Sequence, residues 1–370
     1  MQHRVCLITF SSLVTDGRSL NALRSISKIE DVACFSQTRD VDYQKLNLSS
    51  NITHFSIPKT YNRMLFDWIN FHRKVKNLSA DIDLNIFWAC DLYSLKAAVN
   101  LAKKDDFIIY DSREIYSALG NLSGKFIKQR ILAFLEKQWI KGVDHFVVSG
   151  DLDARFLKTY FNTKKPFTTI YNVPQFKERL QSNIIKEKFP YLGDKTILLY
   201  QGAVHFGRGI ELILNFIAKS KKYAFVILGD GLFLAKAKEL AYKLDILDRV
   251  VFAGCIPYEE LHNWTCSAHI GVNLIEPISF SYELALPNKM FEYIMAGLPQ
   301  IASKLPAMQD IIDRYNVGIC IENFSNEKIE NSINEILMNY EFYQENCLKA
   351  AKVFNYGNEE RKIFEIIASL

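Results

Sequence analysis

The sequence has 370 residues, 49% of them hydrophobic and 23% charged, with 45 Lys and Arg against 41 Asp and Glu. That length exceeds one ordinary core and suits two domains of roughly 150–200 residues, and the apolar content excludes disorder. A net charge of +4 is too small for a dedicated nucleic-acid binder, and no apolar run reaches the roughly 18 residues of a spanning helix.

Short Val-, Ile- and Phe-rich runs alternate with helical patterns, the sign of βαβ units. Val5–Phe10 reads as a buried first strand, followed by a helix from about Leu20 to Lys28. Val32–Phe35, Ile86–Ala89, Phe107–Tyr110 and His145–Ser149 read as strands, with a long helix over about Lys125–Lys141. A second series follows a polar stretch at about Val173–Lys195. Its strands are Thr196–Gln201, Ala224–Leu228, Arg249–Ala253, Ala268–Asn273 and Gln300–Ser303. Helices are expected at Ile210–Ala218, Ala235–Leu244, Glu259–Thr265 and from Met290, and a helical tail closes the chain. Two doubly wound domains in series place a ligand cleft at the carboxyl ends of their sheets.

The start, Met1 to Phe10, lacks the apolar stretch and cleavage site of a signal peptide. Seven cysteines without a C-x-x-C pair argue for reduced, mostly buried thiols in a cytoplasmic protein. The net charge is unevenly placed. Residues 1–175 hold 24 basic and 17 acidic side chains, or +7, and residues 176–370 hold 21 and 24, or −3. Different partners for the two halves follow.

The most informative stretch runs from Ser281 to Pro299. Pro287 suits a helix start, with Asn288 and Lys289 in the first turn. Free N–H groups there attract anions, and Lys289 adds a cation. Glu292, three residues on and on the same face, can accept from a pair of hydroxyls. Phosphates at the helix start and a diol one turn in suit a nucleotide. The same residues also fit an amphipathic helix with a solvated Lys and Glu.

The segment resembles the donor-binding signature of retaining family-4 glycosyltransferases of the GT-B fold, in the bacterial branch with Pro-Asn-Lys-x-Phe-Glu-Tyr. Further pieces match in order: Tyr200-Gln201-Gly202 through Gly207-Arg208-Gly209, Phe225 through Gly229-Asp230-Gly231, and Arg249–Gly254 through Glu260-Leu261. The resemblance is strong over about residues 196–320 and weak over 1–175. It implies an α/β chain of two Rossmann-like, doubly wound domains facing a cleft. Residues 1–172 would form an acceptor-binding domain and 173–353 a nucleotide-sugar domain, with a helix at about 354–370 packing back on the first.

The resemblance implies transfer of a sugar from a UDP- or GDP-sugar to a saccharide or lipid-diphosphate-saccharide acceptor, with retention, in surface polysaccharide biosynthesis. Arg208 and Lys289 would bind the departing diphosphate and Glu292 the ribose diol. Gly202, His205, Gly229, Asp230, Gly231, Pro287 and Asn288 would complete the donor site. No cofactor is required, and the seven His lack metal-ligand spacing. Two departures stand out. Leu284 occupies the first position of the common Glu-x7-Glu pair, and Ala203 stands where relatives carry Arg.

In the first domain, Asp16, Gly17 and Arg18 follow strand one, where they form either a cleft loop or a plain turn. Asp91 is a helix cap or a cleft residue. Asp111, Arg113 and Glu114 resemble an Asp-Ser-His-Glu stretch. Arg113 at the His position cannot act as a base and would instead bind phosphate. Lys125–Lys141 puts Ile127, Ile131, Phe134, Leu135 and Trp139 on one face amid basic residues, as either a core helix or a membrane-surface helix. A peripheral site on the inner membrane face is implied. The competing readings are a metal-dependent transferase using one of the Asp-x-Asp triplets (Asp40/Asp42, Asp81/Asp83, Asp151/Asp153), a nucleotide-sugar epimerase, and a non-catalytic binding subunit with a degenerate site.

Overall fold

The computed structural model describes residues 5–38, 46–113, 115–116, 126–276, 284 and 286–370. Glu114, Lys125, the Asp40/Asp42 triplet and residues 281–283 of the signature stretch lie outside the described residues. The chain divides into two compact units, Met1–Asn172 with Asn358–Leu370, and Val173–Gly357.

The first unit holds a seven-stranded sheet. Its strands are β1 (Val5–Thr9), β2 (Val32–Thr38), β3 (Ile52–Pro58), β4 (Ile86–Ala89), β5 (Phe107–Ser112), β6 (His145–Val148) and β7 (Phe167–Thr169). They lie in the order β3-β2-β1-β4-β5-β6-β7, with every neighbouring pair parallel. The second unit has six strands, β8 (Thr196–Gln201), β9 (Tyr223–Leu228), β10 (Val250–Gly254), β11 (Ile270–Asn273), β12 (Gln300–Ser303) and β13 (Gly318–Ile321). Their order is β10-β9-β8-β11-β12-β13, again parallel. Both units are doubly wound α/β, as the alternating pattern predicts.

The central strands are buried end to end. Val5–Thr9 is buried throughout, and in β8 only Thr196 is half-exposed. Helices cover both faces of a parallel sheet, so its inner strands read as continuous apolar runs. The strand order reverses between β1 and β4 and between β8 and β11. Such switch points open a crevice at the carboxyl ends of the strands, where ligands bind in open α/β sheets.

The first helix spans Gly17–Ile26 rather than Leu20–Lys28. Asp16 caps it, its side chain accepting from the Ser19 N–H, so the helix begins one turn before its apolar residues. The closing helix, Tyr356–Ala368, sends Ile363, Ile366 and Ile367 into a core with Val5, Leu7 and Val32. All seven cysteines are free, and five of them are buried.

The helix at Phe126–Trp139 divides its apolar residues between two faces. Leu132, Leu135 and Trp139 join the core, while Ile127, Ile131 and Phe134 are 77%, 53% and 62% exposed. Its one acid, Glu136, faces inward and accepts a hydrogen bond from the Tyr110 hydroxyl at 2.9 Å. Burial pushes that carboxyl up to about 7. The expected single face of five residues is therefore two faces.

Candidate active site

The candidate site in the second unit forms where β8 and β11 diverge. Gln201 ends β8, and a loop of residues 202–209 leads to a helix at Ile210–Lys219. Gly209, with φ +74°, opens that helix, and a Cβ there would lie 2.5 Å from the Leu274 carbonyl oxygen. The loop is therefore held close against the segment leaving β11, where the Glu276 N–H also donates to the Gly207 carbonyl at 2.9 Å. Arg208 is half-buried on this loop, and His205 sits three residues before it.

The Gly229-Asp230-Gly231 turn packs on the same loop. The Gly202 N–H donates to the Leu228 carbonyl and the Val204 N–H to the Asp230 carbonyl, both at 2.9 Å. A Cβ on Gly229 would fall 2.0 Å from the Gly202 carbonyl oxygen. The structure thus gives Gly229 a packing reason that needs no ligand. Asp230 is exposed, and its carboxylate accepts from the Gly231 N–H at 2.7 Å.

Pro287 lies just before the helix Asn288–Met295 as its N-cap, in extended backbone. Lys289 and Glu292 follow on one face. Lys289 is only 7% exposed. Its Nζ sits 3.5 Å from the centroid of the Tyr200 ring and has no hydrogen-bond partner among the described residues. Burial, and next the charge of Arg208, push its pKa well below the ordinary lysine value, while Glu292 opposes them. A desolvated cation–π contact recovers about 2 kcal/mol or somewhat more, against the several kcal/mol that desolvating an ammonium costs. Two basic side chains set near each other with so little compensation would both gain from an anion beside them.

Glu292 accepts a hydrogen bond from Gln201 Nε2. Burial raises its pKa, opposed by that bond and by Lys289. It borders an open depression of about 300 Å³, also lined by Lys177, Tyr258, His262 and Thr265. Tyr258 and Thr265 were not singled out by sequence reasoning, and Tyr200 and Gln201 were named only within a motif, with no role of their own. For Gln201 a signal existed: it ends a buried strand directly before Gly202.

The residues singled out in the first unit come together at the ends of β1, β4 and β5, but mostly on each other. Arg113 Nη1 donates to both Asp16 oxygens at 2.8 and 2.7 Å, and Nη2 donates to Ser19 Oγ at 2.7 Å. Arg18 Nε donates to both Asp111 oxygens at 3.1 and 3.0 Å, and its Nη1 donates to the Ile170 carbonyl at 2.6 Å. Asp111 also pairs with Arg113 Nε at 3.5 Å. Burial would raise the Asp16 pKa, but the Arg113 charge and the hydrogen bonds from Ser19 and Arg113 outweigh it and lower the carboxyl to about 2. Asp91 caps the helix Leu92–Leu101 through the Ser94 N–H at 2.6 Å, and burial lifts its carboxyl to about 6. Gly17 does not have positive φ, and a Cβ there would meet open space. The Arg113 guanidinium, expected to bind phosphate, is paired here with Asp16 and Ser19.

Residues 181–353, within the second unit, match the family described as Glycosyl transferases group 1. The chain is 21% identical over 333 residues to a lipopolysaccharide 1,2-N-acetylglucosaminetransferase of Salmonella typhimurium, covering 85% of this chain and 81% of that one. Among solved structures it is similar to a sucrose-phosphate synthase of Thermosynechococcus elongatus, with a TM-score of 0.79 at 16% identity over 100% of this chain and 99% of that chain. It is also similar to HepE of Anabaena in complex with UDP, with a TM-score of 0.78 at 12% identity over 100% of both chains. The fold is that of the GT-B glycosyltransferases, and the chain is an enzyme, a glycosyltransferase.

Proposed function

We propose that the protein is a retaining, metal-independent family-4 enzyme. It moves a hexosyl group from a UDP- or GDP-sugar to a saccharide or lipid-diphosphate-saccharide acceptor during surface polysaccharide assembly. The observation that carries this reading is the buried Lys289 amine, without a hydrogen-bond partner among the described residues, one helical turn from Glu292. The name of the Salmonella relative supports a polysaccharide context, and the UDP bound to the Anabaena protein supports a nucleotide donor.

On this reading Lys289 and Arg208 take the diphosphate. Arg208 offers the planar fork that binds phosphate oxygens in pairs. Glu292 accepts from the ribose diol. As the glycosidic bond to phosphate breaks, charge grows on the leaving oxygen, and fixed cations there stabilise the transition state. The acceptor hydroxyl attacks on the face the phosphate leaves, and the phosphate oxygen takes its proton. No protein nucleophile is required, and side-chain cations serve in place of a metal. A donor screen with purified protein tests this. UDP- or GDP-sugar turnover should persist in excess EDTA, and the product should keep the donor's anomeric configuration. Inversion, or loss of turnover in EDTA, overturns the reading.

The acceptor is assigned to the first unit, and so is contact with an anionic membrane on its cytoplasmic face. Helices Met64–Leu78 and Phe126–Trp139 meet through Trp68 and Trp139, whose rings lie 6.1 Å apart. On these two helices Leu65, Phe66, Ile69, Ile127, Ile131 and Phe134 are each at least 50% exposed. Arg73, Lys76, Lys128, Arg130 and Lys137 are exposed on the same helices, whereas their acids, Asp67 and Glu136, are buried. Apolar side chains among unopposed cations fit an anionic lipid surface. The protein should sediment with vesicles containing phosphatidylglycerol at low salt, and the double variant Ile131→Asp/Phe134→Asp should not. Equal binding to neutral vesicles sinks the charge argument.

A further inference from the structure

A lysine and a glutamate three residues apart on a helix ordinarily pair. Lys289 and Glu292 do not, because Lys289 Nζ has no hydrogen-bond partner. Gln201 Nε2 donates to Glu292 Oε2 instead. Gln201 and Thr265 are each 1% exposed. Thr265 Oγ1 lies 2.9 Å from Gln201 Oε1 and 2.8 Å from the Leu261 carbonyl oxygen.

The chemistry of these groups orders them. An ionised carboxylate only accepts, so the nitrogen end of the amide must face Glu292. The oxygen end then faces Thr265, whose single hydroxyl proton is shared between it and the Leu261 carbonyl. Helix Tyr258–Cys266, strand β8 and helix Asn288–Met295 are thus joined by one line of side chains ending on a carboxylate. The cation that would otherwise draw that carboxylate stays unpaired.

We propose that Gln201, oriented by Thr265, is a positioning residue that keeps the Glu292 carboxylate turned away from Lys289, so that the two charges serve a ribose diol and a diphosphate separately. The inference rests on the assignment of Glu292 to the diol. Neither Gln201 nor Thr265 need touch the donor. Without the amide, Glu292 turns to Lys289, and both ligand contacts weaken together.

The test uses whichever of UDP and GDP binds the purified protein, alongside its 2′-deoxy form, in calorimetric titrations. Gln201→Leu should weaken the ribonucleotide about tenfold, the scale of a lost hydrogen bond to a charged group. It should also reduce the preference for ribo- over deoxyribonucleotide to that of Glu292→Gln. Thr265→Val should move both values the same way, and Thr265→Ser, which keeps the hydroxyl, should restore them. A merely structural role would lower thermal stability without changing the ribo/deoxy ratio. If Glu292→Gln leaves that ratio unchanged, the diol assignment fails. If Glu292→Gln collapses the ratio while Gln201→Leu keeps both ratio and affinity, the diol assignment stands and the positioning role is overturned. Should Gln201→Leu not fold, the Thr265→Val and Thr265→Ser pair decides: equal ratios in the two overturn the proposal.

Discussion

Replacing Lys289 with Met is expected to lower kcat/KM by roughly 100-fold or more while raising the melting temperature of the ligand-free protein. The first effect is the usual scale for removing one group that meets charge developing in a transition state. The second follows from the empty-site electrostatics. The ammonium is buried, faces an aromatic ring, feels Arg208, and has no hydrogen-bond partner. Methionine fills similar space without that cost. A sign check on pH separates the two contributions. The native state holds the Lys289 proton less tightly than the unfolded chain does. Below the native value the group therefore destabilises the fold by a constant amount. That loss is recovered as pH rises toward the ordinary value of 10.5. The stability gap between Lys289→Met and wild type should accordingly narrow toward pH 10. Thermal melts across pH 7–10, paired with donor kinetics, check both halves. A variant that loses activity and stability together would show that Lys289 is held by contacts other than those described. Arg208→Ala should share the kinetic loss without the stability gain, since Arg208 is half-buried rather than enclosed.

The second large effect is expected in the first unit. Arg113→Ala should cost about 3–5 kcal/mol of stability, the range for removing one partner of a buried ion pair. It leaves the Asp16 carboxylate, with a side chain only 10% exposed, without its bidentate partner. It also leaves Asp111 with Arg18 alone. The double variant Arg113→Ala/Asp16→Asn should be less destabilised than the sum of the two single variants, because no orphaned charge remains. Asp16 carries the pH signature. Its native carboxyl lies near 2, below its unfolded value, so its contribution is complete above about pH 4 and is lost as pH falls through 2. Urea titrations at pH 7 measure the cycle. Strict additivity would show that the pair contributes little.

Three strands, β3, β7 and β13, had no clear sign in the sequence, and all three are sheet edges. Ile52–Pro58 and Phe167–Thr169 are largely half-exposed and interleave polar residues, and Gly318–Ile321, also largely half-exposed, is apolar but only four residues long. The inner strands, covered on both faces, were legible for the opposite reason. At the site the pattern is similar. Lys289 and Glu292 announce themselves through spacing on a helix that begins at a proline. Gln201 and Thr265 belong to separate elements 64 residues apart, and no local pattern joins them. The internal pairing of Arg113 was not legible because a cation after a strand looks alike whether it meets a ligand or an internal carboxylate. Only the placement of Asp16, 97 residues away, distinguishes the two. The Gly229-Asp230-Gly231 turn was legible as a motif, but its cause, backbone against backbone, was not.

The enclosed ammonium of Lys289 also bears on how turnover ends. On the proposed assignment of Lys289 to the diphosphate, a pocket whose cation is costly when empty would favour any diphosphate that arrives, and the cost would return when the anion departs. The spent nucleotide carries more negative charge than the sugar-linked donor, so the same feature holds the product more tightly than the substrate. Release, rather than bond breaking, would then be the slow event at high donor concentration. The rate of sugar transfer falls under the control of whatever removes free nucleoside diphosphate from the surroundings.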